Sequence, residues 1–128
     1  RYCRRYGFRL PQNDEWAYAA GKGIYTYPWG NELPGENGVY RANFDSLGTQ
    51  GKDEGDGYAG TAPVKSFEAY SSPFDIVDMA GNVSEWVQGR IIKGGSFFSI
   101  SAEDLTIGKI TLGGSQEKQG FRCVKSEK

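Results

Sequence analysis

The chain has 128 residues, with 15 Lys plus Arg against 16 Asp plus Glu, and no histidine. That length suits one domain, or part of one, with a modest core. A net charge of -1 gives no electrostatic case for nucleic acid or an anionic membrane, and no apolar run is long enough to span a bilayer.

The missing histidine removes the usual base for an activated serine and the commonest ligand of a transition metal. Nineteen glycines stand beside three Trp, eight Tyr and seven Phe. Glycines supply turns and aromatics bury large areas each, so a loop-rich fold packed around rings is expected. Nothing at the N-terminus has the pattern of a signal peptide, and the chain starts without methionine, which reads as a fragment of something longer.

In chain order, Arg1, Arg4, Arg5 and Arg9 come first and read as a solvated helix face rather than a binding arm. Residues 13–20, NDEWAYAA, carry helix formers with acids in the first turn, and GKG stops them. Asn13 is the better N-cap candidate than Gln12, and Trp16, Ala19 and Ala20 form the buried stripe. Residues 27–38, YPWGNELPGENG, are turn chemistry.

Residues 43–63 hold too many Gly and Asp for a helix or central strand. An extended ordered loop of this length needs something to hold it, and clustered oxygen donors suit a hard cation. PVKSF (63–67) is expected as a short strand, as are RIIKGG (90–95) and GFRCV (120–124), with Ile91, Ile92, Phe121 and Val124 feeding a core. Between them, Asp78 and Glu85 stand among Val77, Met79, Val83, Trp86 and Val87. A carboxylate in apolar company needs a cation or several donors, and calcium is the favoured reading.

Cys3 and Cys123 are too far apart for a CxxC redox motif or a zinc knuckle, which leaves a long-range disulfide or two buried thiols. The stretch KGGSFFSISAEDL (93–105) sets Ser96, Ser99 and Ser101 after a glycine pair. Without histidine, Ser96 or Ser99 could act as a nucleophile only through a Lys or carboxylate partner.

Four stretches in the same order, GFRLPQNDEWAYAA, YPWGN…ANF, GTAPVKSF…FDIVDMAGNVSEWV and IIKGGS…GFRCV, resemble the formylglycine-generating enzyme (sulfatase-modifying factor) family. The resemblance implies an α+β variant of the C-type lectin fold, loop-rich and with little regular secondary structure. It implies that residues 1–128 are the C-terminal portion of one such domain, entered in the middle of a helix. It also implies two calcium sites. One falls on Asn43, Phe44, Asp56 and Tyr58, the other on Asp78, Gly81, Val83 and Glu85. Cys3 and Cys123 match a cysteine pair that joins as a disulfide in family members of this pattern.

The family's enzymes oxidise a substrate cysteine with copper held by two cysteines, three and eight residues after the GGS serine. Here those offsets land on Ser99 and Asp104. Hydroxyl and carboxylate oxygens are poor ligands for soft Cu(I), so no copper is expected. The resemblance then implies a non-catalytic calcium-binding module, a pseudoenzyme. Its edge at Ser96, Phe97, Phe98, Ser99 and Asp104 would bind a protein, peptide or glycan, without nucleic acid or direct membrane insertion. The alternatives are an accessory substrate-binding part of a larger oxidoreductase such as a sulfoxide synthase, and, ranked last, a target of a diversity-generating retroelement. A disulfide and calcium sites favour a secreted, periplasmic or lumenal setting.

Overall fold

The computed structural model describes residues 1–44, 57, 58, 60–97, 99, 101–112 and 119–126. Two α-helices, α1 (Tyr2–Arg5) and α2 (Asn13–Ala20), precede four short strands: β1 (Ser84–Val87), β2 (Ile91–Lys93), β3 (Thr111–Leu112) and β4 (Gln119–Phe121). The sheet order is β3-β2-β1-β4, with β1 antiparallel to β2 and parallel to β4. Single 3₁₀ turns at Glu36–Gly38, Glu68–Tyr70 and Ala102–Leu105 punctuate the loops. The fold is α+β and loop-rich, as the sequence implies.

Helix α2 forms over the expected residues, but Gln12 is the N-cap rather than Asn13. The reason lies three residues on. The Glu15 carboxylate accepts the Gln12 N–H at 2.8 Å, and Arg9 holds the same carboxylate at 2.6 and 2.7 Å. Arg9 is thereby drawn out of the solvated set to which the sequence assigns it. Gly21 closes the helix in the left-handed region at φ 106.

Trp16, Ala17 and Ala20 are the buried residues of α2, so Ala17 takes the central place given to Ala19, which packs only partly buried beside them. They join Met79, Val87 and Ile107 in one core cluster, while Tyr27, Ala42, Phe44, Ala80 and Leu105 form a second. Three rings, four alanines and four larger apolar side chains thus share the core, while Tyr2, Tyr6, Phe8, Tyr18, Tyr25, Phe74 and Phe121 stay exposed, so the core is less aromatic than the composition suggests.

Two strand expectations need correction. Residues 63–67 turn instead of extending: Ser66 N–H donates to Pro63 O, Lys65 adopts φ 66, and the Lys65 N–H donates to the Asp78 side chain at 2.8 Å. With the Lys65 amide given to a carboxylate and the Ser66 amide to a turn, the segment does not pair as a strand. Phe121 sits in β4 but on the open face, 47% exposed, so it does not feed the core. Val124 reaches only a single bridge to Arg9.

Cys3 and Cys123 form a disulfide with Cα atoms 5.6 Å apart, fastening α1 to the residues just after β4. Such a bond is consistent with an oxidising location. No helix among the described residues is long and apolar enough to cross a membrane.

Candidate functional site

The glycine pair bends the chain at the end of β2. Gly94 and Gly95 both adopt positive φ (91 and 67), and a Cβ on Gly95 would come within 2.8 Å of Asp104 O and of Leu105. Only glycine lets the two arms of the 93–105 loop approach this closely. Beyond the bend, Ser96 and Ser99 close a turn: Ser99 N–H donates to Ser96 O, and Ser99 Oγ accepts the Ser96 N–H, each at 2.9 Å. Phe97 N–H donates to Asn82 O, tying this loop to the 78–85 segment.

Ser96, Ser99 and Asp104 line one hollow of about 240 Å³ with Ser84, Ile92, Lys109 and Thr111. Lys109 Nζ lies 3.6 Å from Asp104 Oδ1. The hollow is therefore rich in hydroxyls and edged by a loose, half-exposed ion pair. Lys109, Ser84 and Thr111 carry no site signal in the sequence, because Ser84 comes from β1 and Thr111 and Lys109 from β3 and the residues just before it. Phe97 is half-buried beside the loop, while Phe98 lies outside the described residues.

The Ser99 hydroxyl acts as a turn clamp here. Both cysteines of the chain are joined to each other, so neither is a thiolate at this hollow.

A second hollow, of about 290 Å³, gathers Asp78, Gly81, Val83 and Glu85 together with Asn82 and Arg122. The turn that assembles them uses left-handed backbone at Asp78 (φ 59), Gly81 (φ 73) and Asn82 (φ 64). Asp78 and Asn82 are tolerated there because Asp and Asn adopt that region more readily than most residues. Gly81 has no choice, since a Cβ would lie 2.5 Å from Asn43 O.

Glu85 is 6% exposed and meets three donors: Arg122 Nε at 2.5 Å, Arg122 Nη2 at 2.8 Å and Trp16 Nε1 at 3.2 Å. Arg122 Nη2 also donates to the carbonyls of Val77 and Asp78 at 3.1 Å. Burial opposes the Arg122 charge, but Glu85's hydrogen bonds and charge, with the charge of Asp78, outweigh it and raise its pKa. Asp78 and Glu85 bring carboxylates to this hollow, and the Arg122 guanidinium takes both oxygens of Glu85.

The first set is seen in part. Asn43 is 1% exposed; its Nδ2 donates to Gly60 O at 2.8 Å, while its Oδ1 is buried with no hydrogen-bond partner. A buried oxygen acceptor without a donor is costly, and a cation is one remedy. Phe44 follows, buried beside Tyr40, and Tyr58 lies by Phe67. Asp56 falls outside the described residues.

One buried charge carries no signal in the sequence. Lys93 pairs across the sheet with Glu85, so both side chains leave the same face, and Trp16 lies between them. Lys93 Nζ sits 5.3 Å from the Trp16 ring centroid and donates to Ile107 O at 2.7 Å. At 3% exposure, desolvation first and the nearby Lys22 charge second pull its pKa down to about 8.

The solved structure of Treponema denticola variable protein 1 shares this fold, with a TM-score of 0.67 at 24% identity over 91% of this chain and 46% of that one. In sequence, the chain is 29% identical over 98% of its length, and 45% of the relative's, to inactive C-alpha-formylglycine-generating enzyme 2 of Mus musculus. It is 42% identical over 66% of its length, and 28% of the relative's, to the formylglycine-generating enzyme of Thermomonospora curvata. The chain thus spans less than half the length of each. With residues 1–127 matching the Sulfatase-modifying factor enzyme 1-like domain, the chain belongs to that family.

Proposed function

We propose that this chain is a non-catalytic, calcium-binding module of C-type-lectin-like fold that holds a protein, peptide or glycan partner at the Ser96–Asp104 loop. The observation that carries this reading is the fate of the thiols. Copper chemistry of the enzymes needs two thiolates after the GGS turn, and this chain has Ser99 and Asp104 there, with both its cysteines joined as Cys3–Cys123. The similarity to a relative named as inactive, over 98% of this chain, supports the same reading.

In this reading Asn43, Asp56 and the carbonyls of Phe44 and Tyr58 hold one calcium ion. Asp78, Glu85 and the carbonyls of Gly81 and Val83 hold another. The ions would supply positive charge to buried oxygens and tie separate loops together. The orphan Asn43 Oδ1 supports the first site, and the convergence of all four residues on one hollow supports the second. The module would work in a secreted, periplasmic or lumenal setting, where the disulfide persists.

Metal analysis and melting curves test this together. Stoichiometric calcium, and a melting temperature that falls in excess EDTA and returns with calcium, are expected. Stoichiometric iron or copper, aldehyde formation on a cysteine peptide, or a melting curve indifferent to EDTA overturns it.

A further inference from the structure

One carboxylate in the second hollow has two claimants. Glu85 is a ligand in the calcium reading given above, yet its oxygens are already engaged. Oε1 accepts from Arg122 Nε at 2.5 Å and from Trp16 Nε1 at 3.2 Å, and Oε2 accepts from Arg122 Nη2 at 2.8 Å. An ionised carboxylate offers about four lone-pair sites, so these donors leave about one, on the oxygen that Arg122 Nη2 also holds.

Charge sharpens the conflict. Asp78 and Glu85 are the carboxylates of the hollow, and Arg122 lines it with them. A calcium ion placed beside the guanidinium would set at least three positive charges against these two negative ones. In a partly buried space such repulsion is stronger than in water. Arg122 can leave the carboxylate without losing every partner, because its Nη2 also donates to the carbonyls of Val77 and Asp78 at 3.1 Å. Its backbone is pinned between the end of β4 at Phe121 and the disulfide at Cys123, so the movement belongs to the side chain.

We propose that Arg122 is a competitor for the cation of this hollow, built into the chain: guanidinium and calcium hold Glu85 in turn. Without the ion, Arg122 clamps Glu85 and ties the end of β4 to β1. With it, Asp78, Glu85 and the carbonyls of Gly81 and Val83 close on the ion, and the clamp opens. The proposal rests on the calcium reading of this hollow. It makes the second site conditional, whereas Asn43 Oδ1 in the first set has no donor to displace. Coupling of this kind is reciprocal, so whatever weakens the Arg122–Glu85 pair tightens the hold on the ion.

The probe is calcium chloride alone, titrated into the chelator-stripped intact chain. The Gly81 and Val83 amide signals read occupancy of the hollow, and the Arg122 Nε–H signal reads the clamp. Both are expected to move with one midpoint in the parent chain. Arg122→Gln, which keeps a polar side chain without the charge, should bind calcium at those amides about tenfold more tightly, within the range of coupled sites. An Arg122 Nε–H signal unmoved at saturating calcium, or equal or weaker calcium binding in Arg122→Gln, overturns the proposal and leaves the calcium reading standing. Absence of calcium-dependent shifts at Gly81 and Val83 in both proteins overturns that reading, and the proposal with it. Should Arg122→Gln fail to fold, the signals of the parent chain decide alone.

Discussion

Arg122 holds Glu85 with two parallel hydrogen bonds, and Trp16 adds a third donor to the same carboxylate from the first helix turn of the core. The strand β4 and the helix α2 are thereby locked to β1 through one acid. In calcium-free protein, Arg122→Ala would strand a buried carboxylate, and breaking such a pair costs about 3–5 kcal/mol. The double change Glu85→Gln with Arg122→Ala should cost less than the sum of the two single changes, because the stranded charge is gone. Urea unfolding of the four proteins checks this. Additive losses would show that the pair is not coupled.

Gly81 is the second fixed point. Its positive φ and the 2.5 Å approach to Asn43 O mean that Gly81→Ala meets both strain and a backbone clash. Gly23 has φ 86 with nothing within 4 Å of its Cβ position, so Gly23→Ala meets the strain alone, about 1–3 kcal/mol. Gly81→Ala should therefore lose clearly more than Gly23→Ala by thermal unfolding, and should also weaken any calcium dependence, since Asn43 is displaced. Equal losses would mean that the Asn43–Gly81 contact yields easily.

These two contacts show where the sequence was readable. Local signals carry far: the α2 helix, the β2 strand and the GGS bend follow from helix formers with a GKG stop, β-branched pairs and glycines within a few positions, though the N-cap falls on Gln12 rather than Asn13. The acids at 78 and 85 were marked by their apolar neighbours. What answers them was not legible, because Arg122 lies 37 residues from Glu85 and Trp16 lies 69 away. PVKSF has a strand's composition, but its Lys65 amide goes to Asp78, a choice made by tertiary contact. An apolar residue in a strand reads as core, which is why the sequence places Phe121 there, yet the alternation of β4 sends it outward. The pairing of Cys3 with Cys123 was readable only through the family resemblance.

That disulfide closes nearly the whole chain, with a sequence separation of 120. In the chain-entropy account, a loop of this size constrains the unfolded state by about 4–5 kcal/mol. Reduction should lower the denaturant midpoint accordingly, with α1 loosening first, since it is the element held by Cys3. Mass analysis with alkylation before and after reduction establishes the bond. Two freely alkylated thiols in the untreated protein, or an unchanged midpoint after reduction, would count against this.

Lys93 sets the pH dependence. Its folded pKa, about 8, lies below the ordinary 10.5 because burial disfavours the ammonium. Between those values the unfolded chain keeps the proton that the folded chain has released, so stability rises as pH climbs from 8 toward 10. The gain is on the order of 2–3 kcal/mol at most, from the size of the shift. Above pH 10 the buried Tyr27 hydroxyl opposes it, because its pKa is raised by burial and the unfolded chain ionises first. Lys93→Met keeps the apolar contact with Trp16 and removes the titrating group. Urea midpoints at pH 7.5 and 9.5 should rise in the parent chain and stay level in the variant. The same rise in both would place the titration elsewhere and leave Lys93 a charged, fully protonated neighbour of Trp16 throughout.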